Sequence, residues 1–324
     1  MTTTAVIPVT NTEIVRASST DDVLAQLAVF LRINVSAGDA SENTIKAYQL
    51  HIGQFALWCW DNGIDPGQAT ELDLARYRRH LVTEDYERST IAVKLSAVRR
   101  FFEAAIWHGL RADNPAEGLK PPRQHTARRD KLLERYLSRD AVLALLDAPP
   151  LGTVAGVRDR AMMGLMYYHG LRVSEVCHLS LDDLHRDVEP PSLHIVKAKG
   201  GKDRVVLLVK KSLSRLDLWL EVRSQVVNQT SASAVFLSLS NNSQGEPIKA
   251  PGARWAVQRW LKETTLYRAG FGPHVLRHCH GSHALAQGAD LYVLSVEMGH
   301  ASTDTTGVYL HVVDAVRQNP AGFL

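Results

Sequence analysis

Apolar positions recur at helical spacing through the first third of the chain. In VLAQLAVFLRIN, Val23, Leu27, Phe30 and Leu31 return to one face every three or four residues. SENTIKAYQLHIGQFALWCWDNG predicts a second helix, with Ser41 as its N-cap, Ile45, Tyr48, Ile52 and Phe55 along one side, and Asn62-Gly63 at its end. ELDLARYRRHLV predicts a third. STIAVKLSAVRRFFEAAIWHG predicts a fourth, capped by Ser89 and stopped at Gly109. No segment here alternates with the two-residue period of a strand, so residues 22–119 predict a compact all-helical domain behind a polar tail, residues 1–21.

The pattern breaks at Asn114-Pro115 and Lys120-Pro121-Pro122, and the polar stretch that follows has no periodicity, which predicts a basic linker over residues 120–137. Helical spacing returns with RDAVLALLDA, capped by Ser138, and with VRDRAMMGLMYYHG, closed by Gly170. SLHIVKA and RVVLLV are rich in β-branched residues and flank KGGKD, the signature of a hairpin with Gly-Gly at its tip. Helices are predicted from Ser212 onward. Residues 138–324 therefore predict a mixed α/β domain, mostly helical with a small β-sheet.

Composition narrows this little. Hydrophobic residues make up 45% and charged residues 22%, no apolar run is long enough to span a bilayer, and the Thr-rich start has no basic region ahead of an apolar core; a cytoplasmic protein is expected. Cys59, Cys177 and Cys279 are too few and too scattered for a disulfide framework. Net charge is +3, from 37 basic and 34 acidic residues, so bulk charge does not announce a polyanion. Its distribution says more. Arg88, Lys94, Arg99, Arg100 and Arg111 form one cluster, and Lys120, Arg123, Arg128, Arg129, Lys131, Arg135 and Arg139 another. One such cluster reads as a solvated face; two adjoining ones suggest a path for phosphates.

The densest chemistry lies in Pro273–His283, PHVLRHCHGSH. Four histidines and a cysteine suggest zinc, but an arginine among metal ligands would repel the cation. As a helix with Pro273 in its first turn and Gly288 past its end, the stretch puts His274, Arg277, His278 and Gly281 on one face. Cys279 falls with Val275 and Ser282 on another, where it cannot converge with His274 and His278 on a tetrahedral site. An arginine fork with a neighbouring imidazole suits an anion such as phosphate; a buried arginine paired with a carboxylate is the bland alternative.

HVLRH at His274–His278, Gly299-His300, Tyr309 and, far upstream, GLRVSEV at Gly170–Val176 resemble the tyrosine recombinases, a family of phage integrases and Xer-type recombinases. SENTIKAY, the helix ending in AAIWHG and NPAEGLKPPR resemble that family's N-terminal SAM-like domain, which clamps DNA; the remainder resembles its catalytic domain. The resemblance implies a site-specific recombinase of the simpler two-domain kind, its domains closing on double-stranded DNA as a clamp. It identifies Arg172, Lys199, His274, Arg277, His300 and Tyr309 as catalytic, with Tyr309 the nucleophile that forms a 3′-phosphotyrosine. Lys202 is an alternative to Lys199 as general acid, and Glu175 is either a support for the arginines or a structural carboxylate. Lys202, Arg99, Arg100, Arg123, Arg128 and Arg129 are the candidate DNA contacts. The resemblance implies no metal, no ATP and no other cofactor. It also implies a homo-tetramer on DNA, joined through exchange of the C-terminal tail and working through a Holliday junction, with a second recombinase or accessory protein left open. A type IB topoisomerase and a catalytically silent DNA-binding protein on the same scaffold are the competing readings.

Overall fold

The structure, a computed structural model, describes residues 19–38, 40–122, 136–196, 203–227, 233–299, 306–307 and 309–310. The chain divides into two compact units, Met1–His125 and Thr126–Leu324.

The described residues of the first unit form four α-helices: α1 (Thr20–Asn34), α2 (Glu42–Asp61), α3 (Glu71–Thr83) and α4 (Arg88–Trp107). Ser19 caps α1 through a reciprocal bond with Asp22, so this helix begins two residues before Asp22. Ser41 caps α2 as its sequence predicts. Ser89, in contrast, caps nothing. Asp85 takes a left-handed φ of 55° and turns the chain so that Glu87 is the N-cap, and Ser89 lies inside α4. The predicted apolar faces meet in one core, in which Phe55 contacts Tyr77 at 5.1 Å between ring centroids and Phe101 at 6.0 Å, both edge-on.

The second unit contains α5 (Arg139–Asp147), α6 (Val154–Tyr168), α7 (Val173–His178), a three-stranded antiparallel sheet, and α8 (Lys210–Arg223), α9 (Ala250–Glu263), α10 (Pro273–Ala286) and α11 (Leu291–Met298). The predicted hairpin is present as β2 (Ser192–Ile195) and β3 (Arg204–Leu207), with Ile195 opposite Arg204. Its tip lies outside the described residues. A short strand, β1 (Leu184–His185), adds to the β2 edge and was not legible, because two residues carry no period. Nor is the chain helical throughout after Ser212. Residues 233–249 form isolated bridges at Ala234 and Leu237, where Gly245 (φ 79°) and Pro247 oppose helix and Val235, Phe236 and Leu237 are buried as an extended segment.

Helix α6 is the centre of this unit. It is buried on nearly every side, packing against α8 and α10, and its buried Asp159 takes Arg158 at 2.7 Å and the indole N–H of Trp260 at 2.8 Å. This matters for the site, because α6 ends at His169 and delivers Gly170, Leu171 and Arg172 from a rigid base.

Candidate active site

Gly170 adopts a left-handed φ of 60°, stopping α6 and turning the chain so that Arg172, in extended geometry, becomes the N-cap of α7. One turn on, Glu175 reaches back to accept the Arg172 backbone N–H at 2.8 Å and its guanidinium Nη1 at 2.8 Å. The spacing RVSE thus folds into a cap that holds its own arginine.

A second left-handed glycine, Gly299 (φ 63°, ψ 48°), ends α11. The three successive carbonyls there each accept from a different arginine. Glu297 O takes Arg204 Nε at 2.8 Å, Met298 O takes Arg277 Nη2 at 2.7 Å, and Gly299 O takes Arg172 Nη2 at 2.7 Å. The C-terminal end of a helix is the negative pole of its dipole, so it gathers and orients cations. Arg277 also donates to the Gly170 carbonyl, tying the two glycine turns together. Arg204 grips Glu175 with both ends of its fork, Nη1 to Oε1 at 3.0 Å and Nη2 to Oε2 at 2.9 Å.

Two guanidiniums, those of Arg172 and Arg204, therefore share one carboxylate, with Arg277 tied to the neighbouring carbonyls. Burial alone would raise the Glu175 pKa, but Arg204 and then Arg172 outweigh it and hold the carboxyl below its ordinary range. Arg277, 5% exposed, is brought down to about 10, first by burial and then by Arg172. Three cations against one anion leave a local excess of positive charge with its donors fixed beforehand, the electrostatic condition for receiving a phosphate.

Tyr309, 4% exposed and in helical geometry, packs on α10 against this cluster. Its ring lies edge-on to His278 at 5.5 Å and over Gly281, where an added Cβ would come within 2.7 Å of Cδ2. Burial raises the Tyr309 pKa, while the charges of Arg277 and Arg172 pull it down. The phenol is thus kept protonated by its desolvation and made more acidic by the two arginines.

The predicted residues are distributed unevenly. Arg172, Arg277 and Tyr309 come together. His274, in the first turn of α10, is exposed. Lys199, Lys202, His300, Arg123, Arg128 and Arg129 lie outside the described residues. In the first unit the cluster Arg88 to Arg111 is not one basic face. Lys94 is 3% exposed, donates to Gln54 and sits 4.6 Å above the Tyr86 ring. Arg99 holds the carbonyls of Ala116 at 3.3 Å and Leu119 at 3.1 Å, and Arg100 pairs with Glu103. Arg111 binds the Gly67 carbonyl and Asp113.

The other histidines of α10 and Cys279 serve packing. His283 bonds Tyr167 Oη at 3.0 Å and the Leu137 carbonyl at 3.0 Å, and Cys279 is fully buried with Sγ 3.8 Å from the same carbonyl. Among the described residues no group of three His, Cys, Asp or Glu side chains is placed to hold a metal ion. Sequence reasoning left Arg204 out entirely and gave Gly281 no task. Gly281 could have been read from its place on the His274/Arg277 face; Arg204 opens the second strand of the hairpin and has no local signature.

Comparison with known proteins decides the family. The sequence model described as "Phage integrase family" matches residues 135–315, and that of the phage integrase N-terminal SAM-like domain matches residues 27–109. The chain belongs to the phage integrase family, the tyrosine recombinases. Its relatives in this family include tyrosine recombinase XerD of Chlorobaculum tepidum, 31% identical over 291 residues, 88% of this chain and 91% of the relative. Among solved structures, the XerH site-specific recombinase bound to its difH substrate in a pre-cleavage complex aligns with a TM-score of 0.67 at 18% identity, covering 90% of this chain and 92% of that one. A lambda integrase tetramer bound to a Holliday junction aligns at 0.66 and 16% identity, covering 94% and 80%. The phage integrase fold is a helical SAM-like domain followed by a mainly helical catalytic domain with a small sheet, as the resemblance implies and in keeping with the helical and strand periods of the sequence.

Proposed function

We infer that this phage integrase family member is a site-specific DNA recombinase that cuts and rejoins strands through Tyr309. The family is one of DNA strand-exchange enzymes, and its Xer and lambda relatives support recombination over simple relaxation. The observation that carries the residue assignment is the seating of Tyr309 on α10 near the buried Arg277 and the partly buried Arg172, whose charges pull its pKa down against burial.

In this reading Arg172 and Arg277 bind the non-bridging oxygens of the scissile phosphate and stabilise the charge that grows on the pentacoordinate phosphorus. Tyr309 Oη attacks phosphorus, the bond to the 5′-oxygen breaks, and a 3′-phosphotyrosine forms. The phenol proton must leave as this happens, since tyrosine ionises near pH 10 and burial raises that further; His274 and His300 are the candidate acceptors or donors. Lys199, or Lys202 beside it, protonates the departing 5′-oxygen. The phosphotyrosine keeps the energy of the diester, so attack by a 5′-hydroxyl of a second strand reverses the step without ATP, and arginines meet the charge that a metal meets in other enzymes.

The partner is double-stranded DNA, with affinity supplied mainly by phosphate contacts, for which Lys202, Arg99, Arg100, Arg123, Arg128 and Arg129 are the candidates. Lambda integrase is a tetramer on its Holliday junction, which supports an oligomer on DNA here; a homo-tetramer joined through exchange of the C-terminal tail is part of the proposal. Three free, buried cysteines, and the lack of any long apolar helix among the described residues, suit the cytoplasm.

The test uses a nicked duplex carrying a site selected from a randomised pool by binding. Incubated in chelator, the wild-type protein forms a covalent protein–DNA adduct and Tyr309→Phe forms none. Cutting by Tyr309→Phe, or activity abolished by chelator and restored by zinc, overturns the reading. Exchange between two such sites, as against relaxation alone, separates a recombinase from a topoisomerase.

A further inference from the structure

The second strand of the hairpin begins at Arg204, and nothing in the proposed chemistry uses it. Its side chain is nonetheless among the most constrained in the unit, 8% exposed, with all three guanidinium nitrogens engaged by protein acceptors. It therefore has little left to offer a phosphate. What it touches is the framework of the site: both oxygens of Glu175, the Glu297 carbonyl, and the α-carbon side of Gly299, where an added Cβ would lie 2.9 Å from Arg204 Nη1 and 3.1 Å from Cζ.

We propose that Arg204 is a positioning residue for strand cleavage, setting through Glu175 the pose of Arg172 and through Gly299 the turn that ends α11. The proposal rests on the strand-transfer reading above. Its physical basis is the sharing of one carboxylate. Glu175 Oε1 lies 2.8 Å from Arg172 and 3.0 Å from Arg204, so each guanidinium limits how far the carboxylate can turn toward the other. Without Arg204, the buried carboxylate keeps a single cationic partner and swings both oxygens onto Arg172, drawing that fork away from its place at the phosphate. The Gly299 turn also loses the flat surface against which it packs, and only glycine fits there, on grounds both of the left-handed φ and of the guanidinium's closeness.

Single-turnover cleavage of the nicked duplex at saturating DNA, DNA affinity, and thermal stability are measured for wild type, Arg204→Ala and Arg204→Lys. The same cleavage is repeated on a duplex with a methylphosphonate at the scissile position, where a methyl replaces one non-bridging oxygen and removes the charge an arginine would meet. Arg204→Ala is expected to cut about a hundredfold more slowly on the natural diester, the scale of a misplaced reacting group, with DNA affinity unchanged. On the methylphosphonate the deficit shrinks, because a displaced Arg172 matters less. Arg204→Lys, which keeps the charge but lacks the fork, shows the same behaviour with a smaller loss, and it carries the comparison if the alanine variant does not fold. A deficit undiminished on the methylphosphonate, a loss wholly accounted for by DNA affinity or stability, or unimpaired cleavage overturns the proposal. Absence of a Tyr309 adduct from the wild-type protein instead overturns the functional reading beneath it.

Discussion

The ring of Tyr309 rests on Gly281, so closely that one added methyl would fall within 2.7 Å of Cδ2 and 2.8 Å of Cε2. Gly281 lies inside α10, where alanine is favoured over glycine by about 1 kcal/mol. Gly281→Ala is therefore expected to retain helix content and DNA binding while displacing Tyr309, the proposed nucleophile, with adduct formation falling about a hundredfold for a shift near 1 Å. Circular dichroism beside the rate of adduct formation checks this; a full cleavage rate in the alanine variant would show that Tyr309 is not seated here when it reacts.

Arg277 joins two turns by binding the carbonyls of Gly170 and Met298 with different ends of its fork. Lysine presents one point charge and cannot span both. Arg277→Lys is expected to lose about a hundredfold or more in cleavage rate, and to lose thermal stability as well, because two buried carbonyls keep at most one donor between them. Differential scanning calorimetry and single-turnover cleavage measure the two effects separately.

His169 and His280 are each held at a pKa of about 4, against 6.5 for the free group, by burial first and, for His169, then by His280. Between pH 6.5 and 4 the unfolded chain binds protons that the folded unit refuses, so the second unit loses stability as pH falls through that window and is insensitive to these groups above it. A shift of this size corresponds to on the order of 3 kcal/mol at its acid end. Urea unfolding at a series of pH values should show this slope, and His280→Gln, which cannot take the proton, should shallow it.

Lys94 belongs by charge to the basic cluster of the first unit, yet it is buried and its pKa is lowered by desolvation. Lys94→Met is expected to fold with stability at or above that of the wild type, because a buried cation is replaced by an apolar chain of similar length. Its DNA affinity should be unchanged and its salt dependence unaltered. A shallower dependence of binding on salt in the variant would return Lys94 to the DNA surface.

Much of this molecule was legible before folding was considered. The helix faces of the first unit, the Ser41 and Ser138 caps, the stops at Gly109 and Gly170 and the β2–β3 hairpin follow from periods and end signals a few residues long. Arg172, Arg277 and Tyr309 are singled out on other grounds, the resemblance of their short runs to the family pattern, and the fold brings the three together. Ser89 is not the cap because a left-handed Asp85 closes α3 and the chain re-enters helix at Arg88, with Glu87 as N-cap.

The sequence by itself determined most of the helices and their buried faces, because amphipathic spacing and capping are local. Only tertiary structure decided what the charged side chains meet. The carbonyl that holds Arg172 is 127 residues away, and that which Arg277 shares with α6 is 107 away, distances over which no periodicity carries information. Lys94 and Arg100 look alike as charges, and only packing turns one into the core. Glu175 could be either a structural carboxylate or a support for arginines until the fold brought Arg204 to its other side, where one buried anion orders two cations at once.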